Sequence, residues 1–215
     1  MPPQSITNIE YRTFQQAYDF FNAQLFAGAL PDVLVTLQRK ANSRGYFHPH
    51  NFNSRASSLL AAHELALNPD TFTGRTDAQI LSTLVHEMAH VWQEEHGRPH
   101  SAGYHNKEWA HKMKAIGLQP TSTGEPGGSE TGQRVTHYII ENGLFADAFA
   151  QLAATGFKLA WQSAPAGKNA KAKAASKTKY ACPDCGLNAW AKPGAALICA
   201  DCHGDDDTPR MITFE

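Results

Sequence analysis

Two histidines and a glutamate stand at a spacing that could do hydrolytic chemistry: in "TLVHEMAHVWQ", Thr83 to Gln93, His86 and His90 are four residues apart and Glu87 follows the first. On an α-helix residues i and i+4 share a face, so both imidazoles can reach one ion. Zinc takes nitrogen, oxygen or sulfur donors in a tetrahedral array, and a hydrolytic site keeps three protein ligands and one open position. Glu87 would then act as general base toward a metal-activated water and return the proton to the leaving amine. The competing reading is a packed helix that carries two incidental histidines.

The motif is incomplete without a third ligand, and His96, His100, His105 and Glu108 all follow it. His96 has the spacing of the metzincin pattern, but Gln93 stands where that pattern has a glycine, so "VWQEEH" continues the helix more naturally than it turns. Glu108 would complete the site from a second helix, and His105 opens the same stretch behind a loop able to fold back. Spacing alone leaves the choice open.

A second set of ligands lies near the C-terminus. Cys182 and Cys185 form one Cys-x-x-Cys pair, and Cys199 and Cys202 another. Each pair can grip zinc from a tight knuckle, and four thiolates close the coordination shell, so this ion should be structural. The interval "LNAWAKPGAALI" suggests a β-hairpin turning at Pro193-Gly194. His203 is a competing ligand, and all four cysteines sit in this short region, which argues against a disulfide-stapled fold.

These residues need elements to hold them. Thr76 and Gln79 have capping-box spacing, and Ile80, Leu81, Leu84, Val85, Met88, Val91 and Trp92 supply the apolar face of a helix that Gly97 and Pro99 end. An earlier helix is expected through Phe14, Tyr18, Phe21 and Leu25, and a later one through "NKEWAHKMKAIG". "VLVTLQR", "HELALNP", "VTHYII" and "GFKLAWQ" read as strands and "LFADAFAQLAA" as a helix. "NSRGYFHPHNFNSR" and the glycine-rich "STGEPGGSETGQ" read as connections, the latter able to gate a cleft. His137 and Tyr138 could face the site and stabilise an oxyanion, or be ordinary strand residues; Tyr104 and His100 have the same two readings. His48, His50 and His63 read as solvated or core histidines, and His111 as a surface one.

A chain of 215 residues suits one main domain with a small appendage. The expected division is a main domain over 8–162, a tether over 163–179 and a cysteine-rich unit over 180–215. The hydrophobic share of 42% and the net charge of -1 are ordinary for a globular protein and give no global attraction to nucleic acid or membrane. "MPPQSITNIE" has no leader character, so a cytoplasmic protein is expected.

The run "HEMAHVWQ" with "YHNKEWAHKMKAIG" after it, and "SRGYF" and "HELALNP" before it, resembles the SprT-like metallopeptidases, whose relatives include the Spartan proteases of DNA-protein crosslinks. That resemblance implies an α+β, zincin-like domain followed by a β-hairpin zinc ribbon. It also implies that His105 is the third ligand, because the family's third zinc histidine opens a His-Gly-x-Glu-aromatic motif, which here reads "HNKEW" with Asn106 in place of the glycine. Two zinc ions follow, a catalytic one on His86, His90 and His105 and a structural one on Cys182, Cys185, Cys199 and Cys202.

A protein substrate and, through the resemblance, DNA are the implied partners. The tether supplies Lys168, Lys171, Lys173, Lys177 and Lys179 for phosphates, or simply a solvated linker. Residues 180–215 carry six acidic groups against two basic ones, so the ribbon is no electrostatic clamp. Trp190 could stack on a base or pack the ribbon core. The alternative to an endopeptidase is a non-catalytic, nucleic-acid-associated or transcription-related factor that keeps its metal for folding, or a ribbon-mediated interaction module with a vestigial enzyme.

Overall fold

The computed structural model describes residues 5–57, 60–100, 103–164 and 177–202, with the backbone of 212–213. It divides into two compact units, Met1–Ala164 and Pro165–Glu215. The tether's Lys168, Lys171 and Lys173 lie outside the described residues.

In the first unit, helix α1 (Ile6–Phe26) begins at Ser5, whose hydroxyl accepts from the Asn8 N–H, and buries Phe14, Ala17, Tyr18, Phe21 and Leu25 along one face. Strands β1 (Val33–Leu37), β2 (Gly45–Asn53) and β3 (Ala61–Leu67) form a sheet in the order β1-β3-β2, with β1 parallel and β2 antiparallel to the central β3. Helix α2 (Asp77–His96) packs against this sheet, and its Thr76–Gln79 capping box forms in both directions. Such a cap satisfies two N-terminal N–H groups and contributes about 1 kcal/mol. Helix α3 (Lys107–Ala115), the hairpin β4 (Leu118–Thr121) and β5 (Thr136–Ile139), and helix α4 (Leu144–Ala154) complete the unit. One core runs through it, from Phe14 and Phe21 on α1 through Leu81, Leu84 and Met88 on α2 to Trp109 and Phe145.

Two sequence expectations fail here for physical reasons. "NSRGYFHPHNFNSR" is no mere connection, since it contains β2, an edge strand with mostly exposed side chains and a register shift between His48 and Phe52. None of its side chains is fully buried, so no face carries the apolar alternation that marks a half-buried strand. "GFKLAWQ" forms no strand: Phe157 packs into the core, but the Leu159 N–H donates to the Asp77 carboxylate at 3.2 Å and Trp161 is half exposed.

Glu10 lies on the buried face of α1, 5% exposed, and neither carboxylate oxygen has a partner among the described residues. Burial pushes its pKa above the ordinary carboxylate value. Below the unfolded value the group therefore carries no ionisation penalty, and stability is lost as pH rises from there through the raised folded value. Glu10→Gln is expected to raise Tm at pH 8 by about 2–4 °C, the equivalent of roughly 1 kcal/mol, and to change it less at pH 4. Thermal melts at the two pH values check this; an equal loss at both would mean that the carboxylate is satisfied.

In the second unit, β6 (Thr178–Ala181) pairs with β7 (Asn188–Ala191) on one side and with β8 (Ile212–Thr213) on the other. The expected hairpin about Pro193-Gly194 is corrected: the turn exists, with Gly194 at φ 80° and the Ala195 N–H donating to the Lys192 carbonyl at 3.1 Å, but residues 195–202 directly after it form no strand. The hairpin instead joins β6 to β7 across the first cysteine pair. Tyr180, Cys182 and Cys199 form its small core, and Trp190 is 61% exposed, so Trp190 does not fill that core.

Candidate metal centre

Helix α2 is buried from Ile80 to Ala89, so packing on all sides sets the orientation of His86 and His90. His105 arrives from the turn before α3. One ring nitrogen from each of the three lies within 4.8 Å of the others, and the Nε2 atoms of His86 and His105 are 3.4 Å apart. Two zinc–nitrogen bonds of about 2.05 Å at a tetrahedral angle would separate their nitrogens by roughly 3.4 Å. The donor set therefore fits zinc. Burial first, and neighbouring imidazoles second, hold His86 well below its usual pKa and bring His90 down to about 3, so both stay neutral and keep lone pairs for an ion.

Each ring has a physical support. Trp109 on α3 is fully buried and touches all three, with centroids 4.8 Å from His86, 5.1 Å from His90 and 4.3 Å from His105. Gly132, in the glycine-rich loop, exchanges two backbone hydrogen bonds with His105, and its carbonyl lies 3.1 Å from His105 Nδ1. That loop anchors a candidate ligand.

Asn106, where the family has glycine, caps α3: its Oδ1 accepts from the Trp109 N–H and from Gln93 Nε2. Its φ of -89° needs no glycine.

The side chains of the other third-ligand candidates meet other partners. His96 Nε2 meets the Ala29 carbonyl at 2.9 Å. Glu108 accepts from the Arg98 N–H at 2.7 Å and from Gln93 Nε2 at 2.8 Å, tying the end of α2 to the start of α3. His100 is exposed and pairs with Tyr104, with ring centroids 4.7 Å apart. His63 is buried away from this cluster, with Nε2 on Glu95 and Nδ1 accepting from the His50 N–H. His48 and His111 are exposed.

Glu87 is 5% exposed and accepts from the Phe47 N–H of β2; burial pushes its carboxyl up to about 8, against the pull of Lys40 and of that hydrogen bond. The approach depends on Gly45. A Cβ there would stand 2.8 Å from the Ala66 carbonyl and 3.1 Å from Glu87 Oε1. Gly45→Ala is expected to cost about 1–3 kcal/mol and to displace the Glu87 carboxyl. Denaturant melts and a turnover assay check it; wild-type stability with wild-type turnover would show that β2 is free to retreat.

His137 does not aim an oxyanion donor at the site, since both its nitrogens engage side chains of α2: Nδ1 lies 3.1 Å from His86 Nδ1 and Nε2 lies 2.9 Å from Ser82 Oγ. Its partnership with His86 had no sequence signal. The two residues are 51 positions apart.

In the second unit, Cys182, Cys185, Cys199 and Cys202 offer sulfurs within 4.8 Å of one another, and Cys185 and Cys199 are 3.7 Å apart. Backbone N–H groups of Cys185 and Asp184 point at Cys182 and lower its thiol pKa to about 6, the electrostatics of a metal knuckle. Gly186, at φ 73°, turns the chain after this pair. These thiols also fit zinc. His203 lies outside the described residues.

None of the described helices is long and apolar enough to cross a membrane. No solved structure matches the chain. A protein of Salmonella typhimurium described as "Uncharacterized protein in mucB 3'region" is 47% identical over 47 residues, which is 22% of this chain and 64% of that relative. The chain thus spans under two thirds of that relative's length. The SprT-like family model matches residues 14–130, a stretch that contains α1 from Phe14 onward, the β1-β3-β2 sheet, the histidine helix α2 and His105 with its Trp109 support. With more than half its length inside that match and an α+β zincin-type arrangement around the three histidines, the chain belongs to the SprT-like family.

Proposed function

We propose that this protein is a zinc-dependent endopeptidase that uses Glu87 as general base, with a second, structural zinc on its four cysteines. The observation that carries this reading is the convergence of His86, His90 and His105 beside a buried carboxylate held by the Phe47 N–H. Zinc supplies, when bound there, a Lewis acid that acidifies water and polarises a peptide carbonyl. Glu87 takes the proton from the attacking water and passes it to the departing amine nitrogen. Strand β2 is an edge of its sheet, so its outer backbone groups can pair with an extended peptide alongside Glu87.

The substrates we propose are proteins on DNA. Support comes from the lysines of the tether and from exposed Trp190, which pairs across the hairpin with Lys179 and offers a face for a base. The test is digestion of an unfolded protein by the purified full chain, with and without single- and double-stranded DNA. Cleavage that requires DNA, stops with chelator and returns with zinc is the expected result. Cleavage indifferent to DNA would remove the DNA part of the proposal. A zinc-loaded protein that binds DNA and cuts nothing would favour the non-catalytic factor.

A further inference from the structure

His86 and His105 each have a second nitrogen that faces the protein and not the other ligands. For His105 the partner is the Gly132 carbonyl. For His86 it is another imidazole, that of His137 on β5, which turns its far side to Ser82 on α2, one turn before His86. Ser82 is buried, and its hydroxyl lies 2.9 Å from the Gln79 carbonyl.

This chain has a direction because one end can only accept. The Gln79 carbonyl takes the Ser82 hydroxyl hydrogen, which leaves Ser82 Oγ to accept from His137 Nε2–H. A neutral His137 with its proton on Nε2 has a bare Nδ1, and that atom accepts from His86 Nδ1–H. His86 Nε2 is then unprotonated, and it is the atom that lies 3.4 Å from His105 Nε2. We propose that His137 and Ser82 form a relay that fixes His86 as its Nδ1–H tautomer and so presents Nε2 to the metal. His137 is a positioning residue, and this inference rests on the reading of His86 as a zinc ligand.

The reverse polarity would put a hydrogen on His86 Nε2, where an ion must sit, and would deprive the Gln79 carbonyl of the Ser82 proton. A doubly protonated His137 would likewise donate to His86 Nδ1 and force the His86 hydrogen onto Nε2, so the same requirement excludes it. The partners of metal-bound histidines set tautomer, ring orientation and basicity, and losing one typically costs 10–100-fold in metal affinity. Here a neutral ring does the work often given to a carboxylate, without adding a negative charge beside the site.

The first experiment needs no variant: long-range proton–nitrogen correlation spectra of metal-stripped, nitrogen-15-labelled full chain should show His86 protonated at Nδ1 and bare at Nε2. Chelator competition should then show zinc affinity at the histidine site falling about 10–100-fold in His137→Leu, with the cysteine site as an internal reference. In His137→Asn most of it should return, because the amide oxygen can accept from His86 Nδ1–H. An Nε2–H tautomer in the wild type overturns the relay, as does a folded His137→Leu with wild-type affinity, and both leave the zinc reading standing. A wild type with zinc on its cysteines and none on its histidines overturns that parent reading and the relay together.

Discussion

Glu87→Gln is expected to keep zinc on the histidines and to lower peptide hydrolysis by about 10²–10⁴-fold, the usual contribution of a positioned general base. That loss corresponds to about 3–5 kcal/mol of transition-state stabilisation. The amide has nearly the shape of the carboxylate, and its oxygen can still accept from the Phe47 N–H, so the contact that orients the side chain survives. What disappears is the ability to take a proton from water. The substitution also removes a buried ionisable group whose pKa stands at about 8 without metal, so the metal-free variant should be at least as stable as the wild type as pH rises from the ordinary carboxylate value through 8. Zinc content, a melt and a turnover assay on one preparation separate the possibilities. Unchanged cleavage would remove Glu87 from the mechanism, and lost zinc would make it a metal-site residue.

His105→Ala should lower the zinc content of the full chain from about two ions to about one, with the remaining ion on the cysteines. It removes one of three converging nitrogens, the Nδ1 contact to Gly132 and a ring packed on Trp109 at 4.3 Å. His96→Ala and Glu108→Ala serve as controls, because their side chains are committed to the Ala29 carbonyl and to the Arg98 N–H. Both should keep two zinc ions, although Glu108→Ala should loosen the junction of α2 and α3. Elemental analysis reads all three variants. Two ions in His105→Ala with one in either control would move the third ligand.

The histidine pair, Glu87, the Thr76–Gln79 cap and the two cysteine knuckles were legible in the chain because each is local: its partners lie within four residues, where helix or turn geometry alone brings them together. The same locality made α1, α2, α3 and α4 readable from apolar spacing. Strand β2 was not legible, because an exposed edge strand with a register shift and Pro49 carries no alternation. Nor was β4, a short strand containing Pro120. "GFKLAWQ" misled in the opposite sense, since alternating apolar residues can line a core without a neighbouring strand to bond.

For the third ligand, spacing left His96, His100, His105 and Glu108 open, and only the family resemblance singled out His105. The packing of α3 against α2 brings His105 to the pair and gives the side chains of His96 and Glu108 other partners. The roles of Gly45, Gly132 and His137 came from tertiary structure alone. Each depends on a contact between elements distant in sequence, Gly45 with Glu87, Gly132 with His105 and His137 with His86. By itself the sequence determined the kinds of candidate ligand and their local pairing, because residue chemistry and helix periodicity are properties of short segments. Tertiary structure decided which distant groups complete and orient the site, because such contacts depend on how whole elements pack.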